Sequence, residues 1–407
     1  MKISVNRERL IATLQDLGAV GLDGSGGRTR LALDDGDKAG RDLFVRWLRD
    51  LELDVKIDAI GNIFGVLPGF EPGDPVTMGS HIDTVRNGGM FDGAVGVLGG
   101  LEVLRTIREK EISHRRSLAV AVFTNEEGAR FAPDMMGSLV LTGVMDPNDA
   151  YRISDDCGRT VGEELDRIGY RGIDSVIPST YLELHVEQGP FLDREGVSMG
   201  VVDGVQGIAW WKGCYRGQAN HAGTTLMTMR NDALLAVSHL HVAVTDLVRE
   251  WGGCATVGRV AVQPDIVNVI PGEALFTLDV RHPDVSCFHQ LKIKVQEIMH
   301  RLAQRFDLQL ELSQNVDVQP VTFDRRLKDL IQSVMVDHGL TFTHLWSGAG
   351  HDAQILARRV PSAMIFVPSI GGKSHCPQEE SDFDQIADGV NVLLECALRV
   401  ARGEGEL

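Results

Sequence analysis

Leu118-Ala119-Val120-Ala121-Val122-Phe123 is a run with no polar position on either parity, and turn-forming residues follow it at once. A half-exposed strand alternates; a run that does not is a strand buried on both faces, as in the interior of an α/β sheet. Ala363-Met364-Ile365-Phe366-Val367 is a second such run. Around them the spacing predicts strands over 55–60, 62–67, 76–80 and 180–185. Helices are predicted at Leu10, Leu14 and Leu17 and over 38–53, 95–107, 327–338 and 382–402. The fold class expected is α/β, with a mixed sheet carrying the chemistry.

The rhythm changes after Val205. Strands over 208–215, 255–262, 274–281 and 308–312 and long helices over 231–251 and 286–306 give the order β-α-β-β-α-β, that of a ferredoxin-like unit. At 407 residues the chain is too long for one core. We therefore expect a catalytic domain from 1–206 and 321–407 and an inserted domain over 207–320.

A formal net charge of −17 argues against nucleic acid or an anionic membrane as partner. The six cysteines are scattered with no CxxC pair, which suits reduced thiols rather than a disulfide scaffold. The N-terminus is charged where a signal peptide is apolar, and no apolar stretch approaches the roughly 20 residues of a membrane span. The expectation is a soluble cytoplasmic protein.

Residues that bear chemistry cluster where strands are predicted to end. Gly79-Ser80-His81-Ile82-Asp83 and Gly88-Gly89-Met90-Phe91-Asp92-Gly93 put one imidazole and two carboxylates into glycine-rich backbone. Thr124-Asn125-Glu126-Glu127-Gly128 follows the first apolar run, His185 ends Tyr181-Leu182-Glu183-Leu184-His185, and His375 lies after the second apolar run. Sites in open α/β sheets form outside the carboxyl ends of strands, so these residues face one region. His and carboxylate ligands suit divalent zinc, manganese or nickel. Two such ions about 3.5–4 Å apart can clamp a water and a carbonyl oxygen. One carboxylate must then stay off the ions as base, and the adjacent Glu126 and Glu127 suit that division. Singly, each piece has a plain reading: a helix cap, a solvated charge pair, a structural histidine.

Together with Asn220-His221-Ala222-Gly223-Thr224-Thr225, Gly348-Ala349-Gly350-His351-Asp352-Ala353 and Ser374-His375, these motifs resemble the M20-type metallohydrolases. They look like the amidohydrolase branch: N-carbamoyl-L-amino-acid hydrolases, β-ureidopropionases and allantoate amidohydrolases. The resemblance runs from about residue 40 to the C-terminus. It implies two divalent ions per subunit (zinc, manganese, cobalt or nickel), with His81 and His185 on one, Glu127 and His375 on the other, and Asp92 bridging. It implies that Asp83 orients His81 through its other ring nitrogen and that Glu126 is the general base. Gln188, His221, Asn268, Arg281 and Gly350 would contact substrate, with His221 and Asn268 reaching across a homodimer. Arg281 would pair with a substrate carboxylate; the plain alternatives are a structural salt bridge for Arg281 and a helix cap for His221.

Two departures stand out. Leu226 occupies the place of a proline in the His221 motif, and Cys376 follows His375 where many relatives have asparagine. We expect Cys376 to be a non-ligating neighbour. Allantoate-type relatives tend to carry basic or polar residues near Ala209 and Trp210, so Ile208-Ala209-Trp210-Trp211 favours an N-carbamoyl amino acid over allantoate, with allantoate or ureidoglycolate hydrolysis as the rival within the branch. An M20 peptidase or N-acyl deacylase, and a metal-stabilised binding protein without activity, are the rival expectations.

Overall fold

Residues 3–404 are described here from a computed structural model. The chain divides into two compact units, one running to Gly204 and resuming at Thr322, the other spanning Val205–Val321.

In the first unit the apolar runs become two of four parallel inner strands, in the order Leu118–Phe123, Val76–His81, Thr180–Val186, Ser362–Val367. Every residue of all four is buried, as an unalternating run requires. Antiparallel strands extend the sheet on both sides: Ile63–Leu67 and Asp54–Ile57 beyond one edge, and Met199–Val205 beyond the other. The helix Ala94–Glu109 packs across the inner strands and is buried on nearly all its surface, and Phe383–Arg402 packs beside it.

Several boundaries differ from expectation for local reasons. The helix expected over 38–53 is Asp35–Asp50, because Asp34 caps it by accepting the Asp37 N–H and acidic residues fill its first turn. The strand expected over 55–60 stops at Ile57, ahead of a turn in which Gly61 has φ +84°. Met199–Val205 was not expected, since its two glycines weaken a strand signature. Short helices at Met136–Leu141, Pro147–Arg152 and Val161–Ile168 also went unread.

The second unit is a four-stranded antiparallel sheet in the order Gln309–Val318, Gly207–Arg216, Glu273–His282, Cys254–Gln263. Helices Ala233–Trp251 and Val285–Arg305 pack on it, with Trp211, Tyr215, Phe276 and Phe288 in the core. Glu273–His282 alternates strictly between buried and half-exposed positions, placing Thr277, Asp279 and Arg281 on the opposite face of the strand from Phe276, Leu278 and Val280. The last strand runs to Val318, beyond the 308–312 expected. Among the described residues no helix is long and apolar enough to cross a membrane.

Candidate active site

The carboxyl ends of the four parallel strands converge. His81 is the last residue of its strand, His185 the penultimate residue of the next, Glu126 and Glu127 lie just past Phe123, and His375 lies in the loop after Val367. Asp92 stands between the His81 strand and the Ala94–Glu109 helix. The turn there needs glycine: Gly93 has φ +64°, and a Cβ on it would collide with the His81 ring.

Asp92 is at the centre. Its Oδ1 lies 3.3 Å from Nε2 of His185 and 3.6 Å from Nε2 of His81, and its Oδ2 lies 3.2 Å from Nε2 of His375. His375 Nε2 is in turn 3.2 Å from Glu127 Oε2. Glu183–His185–His351 is one group that could hold an ion, and two more, His81–Asp92–His185 and Asp92–Glu127–His375, share the Asp92 carboxylate. Glu126 belongs to neither group, yet its Oε2 is 3.5 Å from His81 Nε2. Cys376 is in no such group among the described residues.

The ring orientations fit metal ligation. His81 Nδ1 is 2.9 Å from the Asp83 main-chain oxygen and His185 Nδ1 is 2.9 Å from that of Val186. A carbonyl only accepts, so both rings carry a proton on Nδ1, and Nε2, the nitrogen facing Asp92, is the one that would ligate an ion. This amends the expectation for Asp83. Its carbonyl orients His81, while its carboxylate, 3.9 Å from His81 Nδ1, accepts the backbone N–H groups of Glu126 and Glu127 at 3.3 Å each. Asp83 thereby fixes both the ring and the turn carrying the two glutamates.

The electrostatics call for added positive charge. Asp92, Glu126 and Glu127 meet imidazoles but no arginine or lysine in the cavity lining. Burial, with Asp352, Glu127 and Asp92 nearby, pushes the Glu126 carboxyl well above the ordinary range, against the pull of His81. Burial and Asp92 raise Glu127 to about 7. Burial also opposes ionisation of Asp92, but His185, His375 and His81 overrule it and hold that carboxyl well below the usual range. The hydrogen bond to Asp92 lifts His375 to about 9. Buried carboxylates in such number are relieved by divalent cations, and the donor set of imidazole and carboxylate suits them.

The cavity over these groups measures about 120 Å³, and its wall also includes Asp134, Met135, Gln188, Ala349, Gly350 and His351. Gln188 Nε2 donates to Asp92 Oδ2 at 2.8 Å. The buried Gln188 Oε1 and His351 Nδ1, on two residues of that wall, have no hydrogen-bond partner among the described residues. Met135, Gln188 and His375 hold φ values of +52°, +58° and +55°. Such backbone costs about 1–3 kcal/mol per residue and persists where the surrounding structure enforces it.

Three buried carboxylates were not foreseen. Glu183 accepts Ser80 Oγ at 2.7 Å and the Ala353 N–H at 3.0 Å. Asp352 accepts Ser138 Oγ at 2.6 Å. Glu379 accepts the N–H groups of Phe91 and Asp92. For Glu183 a signal existed: a charge inside a wholly buried strand needs partners. Glu379, in Gln378-Glu379-Glu380, reads as solvated charge.

The substrate residues expected in the inserted segment lie in the second unit. His221 pairs with Val269 in a two-stranded ribbon, and the Ala222 N–H donates to the Asn268 carbonyl at 2.9 Å, so His221 and Asn268 are neighbours. The Gly223 and Thr224 N–H groups donate to His221 Nδ1 at 3.0 and 3.2 Å. In the neutral ring the proton therefore sits on Nε2, which leaves an exposed hydrogen-bond donor. Arg281 is ion-paired with Asp279, with Nη2 at 2.9 Å from Oδ2.

Residues 77–399 match the model of peptidase family M20/M25/M40. An N-carbamoyl-L-amino-acid amidohydrolase from Rhizobium meliloti is 36% identical over 98% of this chain and 97% of its own length. An allantoate amidohydrolase from Escherichia coli is 32% identical over 95% and 96%. The crystal structure of a hydantoinase/carbamoylase family amidase from Burkholderia multivorans superposes with a TM-score of 0.94 at 41% identity, covering 98% of this chain and 99% of that one.

Proposed function

The chain belongs to peptidase family M20/M25/M40, and from that premise we propose that it hydrolyses the ureido C–N bond of N-carbamoyl-L-amino acids, giving the amino acid, carbon dioxide and ammonia. It is a hydrolase of carbon–nitrogen bonds in linear amides. The observation that carries the hydrolytic reading is the pair of ligand groups sharing Asp92 with Glu126 left outside both, and the choice of a carbamoyl amino acid rests on the similarity to N-carbamoyl-L-amino-acid amidohydrolases.

His81, His185 and Asp92 would hold one divalent ion and Asp92, Glu127 and His375 the other. When bound, the ions supply Lewis acidity that polarises a carbonyl and acidifies a water. Glu126 Oε2 then accepts a proton from the attacking water and returns it to the leaving nitrogen, a role that suits a carboxyl raised above its ordinary range. Asp83 keeps Glu126 in place through the turn N–H bonds. Gln188, its Oε1 unpartnered, is positioned to accept from an N–H of the ureido group. His221, as an Nε2–H donor, would stabilise negative charge developing on the carbonyl oxygen, working beside Asn268 in a homodimer. Arg281 would exchange its Asp279 partner for the substrate carboxylate, an ion its planar fork matches.

The similarity to an allantoate amidohydrolase favours a second reading, in which the ureido substrate is allantoate or ureidoglycolate. Ammonia release by metal-reconstituted protein over a panel of N-carbamoyl-L-amino acids, allantoate and ureidoglycolate tests both. Fastest turnover on carbamoyl amino acids is expected. Fastest turnover on allantoate would replace the first reading with the second. Cleavage of dipeptides or N-acyl amino acids with no ammonia from any ureido compound would overturn both.

A further inference from the structure

The three histidines around Asp92 are not held alike. The Nδ1 atoms of His81 and His185 are each fixed by a main-chain carbonyl, and both rings are buried. His375 has no hydrogen bond at Nδ1 among the described residues, and its side chain is 48% exposed. Something other than its ring contacts must keep it opposite Asp92 and Glu127.

That role falls to a carboxylate four residues further on. Glu379 is buried, and its Oε1 accepts the N–H of Phe91 at 2.7 Å and of Asp92 at 3.1 Å. Its Oε2 lies 3.2 Å from Ser374 Oγ, and the same hydroxyl lies 3.0 Å from Asp92 Oδ2. Ser374 directly precedes His375. One side chain thus binds the backbone of the loop that presents the bridging carboxylate and, through Ser374, the loop that presents the third histidine. The approach depends on a missing side chain: a Cβ on Gly89 would run into the Glu379 carboxylate, and Gly89 has no left-handed φ that would call for glycine.

We infer that Glu379 is a positioning residue that latches the Asp92 loop to the His375 loop and so bears chiefly on the Asp92–Glu127–His375 ion position, two of whose ligands those loops carry. The inference rests on the two-ion reading above. It makes the two positions unequal. The His81–Asp92–His185 position has both of its rings fixed by their own strand ends, whereas the other is built by this latch.

The test is calorimetric titration of metal-stripped full-length protein with manganese(II), comparing wild type, Glu379→Gln and Gly89→Ala, with the visible spectrum of the cobalt(II) forms at one and two equivalents. Partners of this kind typically change metal affinity about 10–100-fold. Both variants are expected to bind the second ion about 10–100-fold more weakly and the first, which shares Asp92, with a smaller loss, the cobalt spectrum changing more at two equivalents than at one. Gly89→Ala leaves Glu379 in the chain and pushes its side chain off the Asp92 loop, so it carries the test if Glu379→Gln does not fold. Wild-type affinity for both ions in both variants, or equal weakening of both ions, would overturn the latch. Wild-type protein that binds only one ion would instead overturn the two-ion reading beneath it.

Discussion

Oδ2 of Asp92 lies 3.2 Å from Nε2 of His375, while Oδ1 of the same carboxylate faces Nε2 of His185 at 3.3 Å. One carboxylate thus presents a separate oxygen to each of two ligand groups. That arrangement follows from where the parallel strands end, since His81 and His185 are the last and penultimate residues of buried strands and the Glu126–Glu127 turn follows another.

Glu126 stands outside both ligand groups and should be separable from them by mutation. Glu126→Gln is expected to keep the wild-type metal content by elemental analysis and to lose about 10²–10⁴-fold in turnover, the span general-base catalysis usually supplies. Turnover near wild type would remove Glu126 from the role of base.

The Asp83 carboxylate accepts two turn N–H groups, and asparagine offers only one accepting oxygen. Asp83→Asn leaves the carbonyl that orients His81 untouched. We expect kcat to fall about 10–100-fold with KM little changed, as for other supporting groups of a metal site. An unchanged kcat would mean that the glutamate turn holds without it.

The titration of the cluster has a definite sign. Glu127 is raised from 4.5 to about 7, so the folded, metal-stripped chain holds more protons than the unfolded one across that interval. His375, raised from 6.5 to about 9, does the same over the next interval: its stabilisation is full below 6.5 and is lost as pH rises through about 9. Stability of the metal-stripped protein should therefore fall as pH rises from about 4.5 to 9. Bound ions displace these protons, which should flatten the profile and release protons on binding. Thermal unfolding against pH, and calorimetry at pH 7 in buffers of different ionisation enthalpy, check both; binding without proton release would contradict the assignment of Glu127 and His375 as ligands.

If His221 serves the active site of a second copy, two inactive variants should repair one another. Mixing His221→Ala with Glu126→Gln under conditions that exchange subunits gives heterodimers in which one site has both residues intact. Activity approaching a quarter of wild type is expected from random pairing, against near zero for either variant alone. No recovery, with subunit exchange demonstrated, would place His221 in the site of its own chain.

Much of this was legible in the chain because the chemistry sits at the ends of unalternating apolar runs. Burial on both faces and the turn after it are local properties, so the α/β class and the five residues of the two ligand groups could be read from neighbours in sequence. What could not be read depends on distant pairing. Glu379 contacts the Asp92 loop 287 residues away, and nothing in Gln378-Glu379-Glu380 separates it from solvated charge. The Arg281 guanidinium calls for an anion, but the sequence leaves open whether Asp279 or a substrate supplies it; the structure supplies Asp279. The hold of Asp83 on His81 by its carbonyl rather than its carboxylate is a matter of about an ångström, 2.9 against 3.9 Å, below what spacing can resolve.

The central claim is that the shared Asp92 makes one catalytic centre from two ion positions. The direct measurement is ammonia release from an N-carbamoyl-L-amino acid by metal-stripped protein as manganese(II) is added, with bound metal per chain determined at each point. Little activity up to one ion per chain, and a rise to full activity between one and two, is the expected result. Full activity at one ion, or none at two, would contradict it.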